Sequence, residues 1–229
     1  MACDCRDAVR LLGVLAVVPF AIAPAVARAA DAGGPTAGPP ASTDPPAERR
    51  SGVVLGTAIG LGLAGASGYP NNATLIGSPA YFSSSDLLAG ANTSAFVMGA
   101  ITDYLSFGFW LGGGTAKSSD WRSTSFGVGF RLELFPLYRL YPTLRDLGVS
   151  TQLGVGNATL TSTLPGSRPS SSGSQSFVGA GLFYELRLFS LLGGHVAAGP
   201  SLDYDVISAP SIERNGAVLS ARFAFYGGK

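Results

Sequence analysis

Residues 126–134 read Phe126-Gly127-Val128-Gly129-Phe130-Arg131-Leu132-Glu133-Leu134. Bulky apolar side chains occupy every second position. The positions between them carry glycine or a charge. A β-strand sends successive side chains to opposite faces. As a strand, this stretch has one large greasy face and one face that is small or ionic. A helix would scatter both sets around its circumference.

The alternation continues on both sides. Val53, Leu55, Ile59, Leu61 and Leu63 alternate with Val54, Gly56, Ala58, Gly60 and Gly62. Leu105, Phe107, Phe109 and Leu111 alternate with Ser106, Gly108, Trp110 and Gly112. Four further runs, Leu147–Val155, Val178–Leu188, Val196–Val206 and Leu219–Phe225, follow the same rule. Across Ser94–Thr102 both parities are apolar. A two-residue turn at Asp103-Tyr104 pairs Thr102 with Leu105, because hairpin length sets register. That register puts Phe96, Met98 and Ala100 on the bulky face, and Val97, Gly99 and Ile101 on the other. The pattern predicts eight strands.

Within these strands every charge lies on the small parity: Arg131, Glu133, Glu185, Arg187, Asp203, Asp205 and Arg222. A soluble sandwich alternates too, but its polar face meets water and is dense with Lys, Glu and Thr. Here the polar parity is mostly Gly, Ala and Ser. Charged residues make up 13% of the chain, against about 25% in a typical soluble domain. Small inward residues suit the narrow interior of an eight-stranded barrel. Large apolar outward residues suit lipid, where every backbone N–H and C=O must pair internally and an open sheet edge cannot exist. The expected fold is therefore all-β: a closed, antiparallel, up-and-down transmembrane β-barrel of eight strands. Three arginines against four carboxylates inside it imply a plugged, salt-bridged lumen, because an unpaired charge there is costly.

Residues 1–29 have the form of a secretory signal peptide. Arg6 and Arg10 precede an apolar stretch from about Leu11 to Val26, and Ala27-Arg28-Ala29 supplies a small-residue cleavage pattern. Cleavage there removes three of the 15 basic and two of the 14 acidic residues, leaving the mature chain formally neutral. Residues 30–50 are rich in Pro, Ala and Gly and read as a flexible periplasmic linker. Residues 51–229 form the barrel domain. The connections at 65–92, 117–123, 161–175 and 207–216 are polar and follow odd-numbered strands. Those after strands two and six are short, and the one at 136–146 is longer.

From Ser51 to about Tyr226 the chain resembles the small eight-stranded outer-membrane barrels of the OmpA and OmpX type. The resemblance rests on the export signal, the eight alternating segments, the alternation of short and long connections, and the closing run Ala221-Arg222-Phe223-Ala224-Phe225-Tyr226. Barrels of this class usually end on an aromatic residue, whereas here Gly227, Gly228 and Lys229 follow Tyr226. The resemblance implies a bacterial outer-membrane location, with both termini periplasmic and the long loops extracellular. It also implies contact with outer-membrane lipids and with the barrel-assembly machinery during biogenesis, and a monomeric state.

Other motifs weigh less. Gly60–Gly65 matches G-x-G-x-x-G, but Ser67-Gly68-Tyr69-Pro70-Asn71-Asn72 follows instead of a helix, so a dinucleotide has no N-terminus to bind. His195 is the one histidine. It falls on the inward parity near the periplasmic end, and reads as a lumen or rim residue. Asn72, Asn92 and Asn157 head N-x-[ST] triplets by chance. Cys3 and Cys5 precede the apolar stretch, and no other cysteine follows. No cofactor, metal or catalytic residue is expected, and without a basic stripe nucleic acid is not a partner. A structural or surface-interaction role is expected. The alternatives are a narrow pore or small-solute transporter and, below that, a lipid-modifying enzyme.

The mature N-terminus should be Ala30. Edman sequencing of protein purified from membranes tests this, and recovery of Met1 would contradict export.

Overall fold

The structure is a computed structural model that describes residues 50–164 and 169–228. The expected signal peptide, and the linker up to residue 49, lie outside the described residues. Ten strands appear: β1 (Gly52–Gly68), β2 (Ser83–Ser84), β3 (Leu88–Thr102), β4 (Leu105–Lys117), β5 (Trp121–Leu134), β6 (Leu147–Ser162), β7 (Ser171–Tyr184), β8 (Leu186–Leu191), β9 (Gly194–Ala209) and β10 (Ile212–Tyr226). A single 3-10 turn at Pro79–Tyr81 interrupts the loop between β1 and β3.

Every pairing is antiparallel, and the strands of the wall are neighbours in chain order, β1, β3, β4, β5, β6, β7, β9 and β10. The two ends of the sheet meet: β1 pairs with β10 from Val54↔Tyr226 to Gly68↔Ile212. The barrel has eight walls, with β8 continuing the wall of β7 and β2 a short spur on β1. Paired residues can be followed once around, through Gly62, Val218, Asp203, Gly181, Ser150, Glu133, Ser106 and Ala100. The path returns to β1 at Gly52, ten residues from its start. That stagger is the shear that tilts the strands, and with eight strands it fixes a narrow interior.

The faces follow the alternation. Leu61, Phe109, Phe130, Leu153, Leu182, Leu202 and Leu219 all point out of the barrel and are exposed. Ala58, Trp110, Arg131, Gln152, Phe177, Phe183 and Arg222 point in and are buried. The inward glycines face the inward aromatics. A Cβ on Gly56 would sit 2.0 Å from the Phe96 ring, and one on Gly148 would sit 2.3 Å from the Phe183 ring. Neither contact is sterically possible, so these glycines hold space for rings.

Strand β3 is reversed relative to the sequence reading. Phe96 and Met98 are 3% and 2% exposed, whereas Val97 and Ile101 are 54% and 63% exposed. Thr102 does pair with Leu105, but the register then shifts, and the next pair is Ala100↔Ser106. Ile101 is the extra residue of a β-bulge, and one extra residue exchanges the two faces of everything beyond it.

The strands also outrun their apolar segments. They are 13 to 17 residues long in the eight walls, where about 9–11 suffice to cross a bilayer. The connections expected at 117–123 and 207–216 shrink to 118–120 and 210–211, and Ser171–Ser176 is strand rather than loop. The ladder needs only backbone partners, so Ser, Thr and Gly continue it where hydrophobicity stops.

Cysteines placed at Val97 and Met98 test the reversed face. In detergent-solubilised protein, Val97→Cys should react with a small apolar maleimide while Met98→Cys stays protected until unfolding. The opposite pattern would remove the bulge.

Candidate functional site: the charged lumen

The inward parity of β5, β7, β9 and β10 brings the ionic residues together near the end of the barrel where Gly52 and Tyr226 lie. Arg222 donates from Nη1 and Nη2 to Glu133 Oε1 and Oε2 at 2.7 and 2.9 Å, a bidentate fork. Arg131 Nε donates to the same Oε1 at 2.7 Å. Arg222 Nε donates to Glu185 Oε1 at 3.1 Å, and the Tyr226 hydroxyl lies 2.8 and 2.7 Å from the two Glu185 oxygens. All of these residues are buried. Forked, charge-assisted bonds of this kind are short and geometrically specific.

The chain of charges extends at both ends. Above, Arg131 Nη1 lies 3.8 Å from Asp203. Below, Arg50 reaches Glu185 at 3.5 Å and Asp146 at 2.7 Å. Its backbone N–H donates to Asp103 Oδ1 at 3.0 Å. From Asp203 to Asp146 the signs alternate without a break. A separate pair, Arg214 with Asp205 at 3.0 Å, sits higher in the barrel. Aromatic rings insulate the arginines: Arg222 lies 4.3 Å from the Phe96 ring and 4.4 Å from Phe183, and Arg50 lies 3.6 Å from Phe135. Burial opposes the charge on Arg50. Tyr226, Glu185 and the hydrogen bond to Asp146 outweigh that burial and hold its guanidinium above the ordinary arginine value.

Of the seven charges singled out in the sequence, Arg131, Glu133, Glu185 and Arg222 are buried in this network. Asp203 and Asp205 line the lumen and are partly accessible. Arg187 is a correction, because it is exposed on β8, where it donates to Ser190 Oγ at 3.4 Å instead of joining the lumen charges. At Tyr184 and Glu185 the β7 wall runs opposite Pro200 and Gly199. The ladder is interrupted at those two positions and resumes in the same register on β8, which lies beyond the first residue of β6, Leu147 opposite Tyr184, and so pairs only with β9 among the described residues. Position 50 is a second correction. Composition assigns it to the linker, yet Arg50 is 3% exposed inside the barrel mouth.

Four members were missed: Arg50, Asp146, Arg214 and Tyr226. Each lies on the inward parity of its strand when the alternation is continued past the last bulky apolar residue. Arg50 continues Gly52 and Val54; Asp146 continues Gly148 and Ser150; Arg214 continues Gly216 and Val218; Tyr226 continues Ala224. The signal was present, but the strand ends were set by hydrophobicity rather than by parity. His195 is buried and stacks on Tyr226, with ring centroids 4.8 Å apart and planes 12° from parallel. Among the described residues no group of three or more His, Cys, Asp or Glu converges as a metal site.

No protein-family model matches the chain, and no curated protein matches its sequence. Among solved structures it is similar to Ail, the attachment invasion locus protein of Yersinia pestis, at 13% identity and a TM-score of 0.47, covering 76% of this chain and 99% of that one. It is similar to Neisserial surface protein A at 12% identity and a TM-score of 0.43, covering 75% and 96%. A third similar structure is the outer membrane protein OprG of Pseudomonas aeruginosa, at 11% identity and a TM-score of 0.34, covering 78% and 97%. The closed eight-walled barrel is established by its own strand pairing.

Glu133→Gln should destabilise the barrel by about 3–5 kcal/mol, because it strands two buried guanidinium groups. Adding Arg222→Met should recover part of that loss. Urea unfolding of the two single variants and the double variant closes the cycle, and strict additivity would mean that the fork carries no coupling.

Proposed function

We propose that this is an outer-membrane β-barrel whose lumen is shut, and that it acts through its exposed loops in a structural or surface-interaction role. The observation that carries this reading is the pairing of two opposite features. A continuous outer wall of large apolar side chains has no favourable place in water. Inside that wall, the Glu133–Arg222 fork closes the cross-section, packed between Phe96 and Phe183. The start of β1 and the end of β10 lie at one end, which in this reading faces the periplasm. The longest connection, residues 69–87, projects from the other end and carries Leu75, Ile76, Tyr81 and Phe82. Its rings pack on each other, with Tyr69 and Phe82 centroids 5.2 Å apart. Lipids and the assembly machinery would be the partners of the wall, with the chain acting as a monomer and not as an enzyme.

One observation favours the narrow-pore alternative. The Asp203 side chain is 22% exposed, so the lumen above the fork admits water. The fork below it and the apolar residues Leu88, Leu160, Ile207 and Ile212 buried towards the other end bound that space. A lipid-modifying site is disfavoured because His195 is stacked inside the mouth at the terminal end.

Reconstitution tests both halves of the reading. The folded protein should float with phospholipid vesicles after a carbonate wash. The same sample in planar bilayers should give no steady current steps. Protein left at the bottom of the gradient would remove the membrane reading. Reproducible open-channel steps would instead establish the pore.

A further inference from the structure

The end of the barrel where β1 starts and β10 finishes carries an apolar collar beyond the eight walls. On β8, Leu188 and Phe189 are 53% and 55% exposed, and Leu192 at the hairpin tip is 91% exposed. In the segment 136–146, Leu140, Tyr141 and Leu144 are exposed as well. The two pieces lie side by side. The Tyr184 hydroxyl donates to the Thr143 carbonyl at 3.3 Å, and the Glu185 N–H donates to the Asp146 carbonyl at 3.0 Å. Leu192 adds a conformational oddity. It stands at φ 49° before Gly193 at φ 79°, in a two-residue turn where Asn or Gly is the usual first residue. Turn chemistry does not explain a leucine there.

The charges of the collar are one-sided. Arg139, Arg145 and Arg187 are exposed on it. The acids at the same end point into the mouth: Asp103 accepts the Arg50 backbone N–H, Asp146 accepts from the Arg50 guanidinium, and Glu185 accepts from Arg222 and Tyr226. Arg145 reaches Asp146 only at 3.8 Å.

Two environments fit badly. Bulk water would leave a contiguous apolar surface exposed. Hydrocarbon would surround β8, which pairs on one side only among the described residues, and an unpaired strand edge is not tolerated there. A headgroup layer meets both demands, since it wets the free edge and accepts apolar side chains at its acyl boundary. The collar is also continuous with the outer wall through Leu182, Leu186 and Leu188. We propose that this collar is a docking surface for the headgroups of anionic phospholipids, with leucines and Phe189 inserted at the acyl boundary and the three arginines on phosphate. Basic residues near an anionic leaflet gain from its surface potential. The inference rests on the membrane reading above.

The experiment uses the mature chain from Ala30, which has no cysteine of its own, with one fluorophore attached at Leu192→Cys, at Leu140→Cys, or at Leu202→Cys on the wall. The proteins are folded into phosphatidylcholine vesicles with and without phosphatidylglycerol, containing nitroxide lipids labelled near the headgroup or deep in the chain. The Leu192 and Leu140 labels should be quenched most by the shallow nitroxide, and more strongly when phosphatidylglycerol is present. The Leu202 label should be quenched most by the deep one. Arg139→Gln, Arg145→Gln and Arg187→Gln together should abolish the phosphatidylglycerol increment while leaving Leu202 quenching unchanged. Collar labels quenched by aqueous iodide and not by lipid would overturn the proposal, as would a disulfide between two Leu192→Cys chains in place of lipid contact. If Leu202 also escapes lipid quenching, it is the membrane reading itself that fails.

Discussion

Everything inside this protein follows from the zipping of β1 against β10. Once the sheet closes, no backbone edge remains along the walls, and the outer face is free to be apolar. Closure with a ten-residue stagger also leaves an interior too narrow for two layers of large side chains. Glycine must then face each inward ring, as Gly56 faces Phe96 and Gly148 faces Phe183. The remaining volume has to hold the charges, and it holds them only because they alternate in sign. Glu133 accepts from two arginines, and Arg222 donates to two carboxylates. A fork of this kind beats a single ion pair, because each buried charge is answered from more than one side.

The walls of the barrel were legible because the parity rule is local and strict. Seven of the eight alternating segments could be assigned a face from side-chain size alone. Strand β3 could not, since Phe96, Val97, Met98 and Ile101 are apolar on both parities. Its face was decided by the bulge at Ile101, which nothing in the local residue pattern marks. The outcome makes physical sense afterwards. Phe96 is needed inside as the ring against Arg222, and Val97 is the better shape for the outer wall.

The lumen network was legible in its middle and not at its ends. Arg131, Glu133, Glu185 and Arg222 sit between bulky neighbours, so their parity was plain. Arg50, Asp146, Arg214 and Tyr226 sit where the outer residues become small or polar, and there hydrophobic alternation fades although the ladder runs on. Arg187 failed for the opposite reason. Its parity was right for a continuing wall, but β6 begins at Leu147 opposite Tyr184, so no strand faces β8 on that side among the described residues. Side-chain pattern records which face a residue takes, while the extent of the neighbouring strand decides how far that face stays enclosed.

The fork also constrains the order of assembly. Glu133 on β5 and Arg222 on β10 are 89 residues apart in the chain, and no hairpin brings them together. While the sheet is still open, Arg131 can already pair with Glu133 on β5 and Arg214 with Asp205 across the β9–β10 hairpin, but Arg222 lacks Glu133, and contacts so distant in sequence form late. A half-built sheet that entered lipid would bring those charges with it. The fork therefore ties charge to closure: Arg222 meets Glu133 only when the first and last strands are close enough to join.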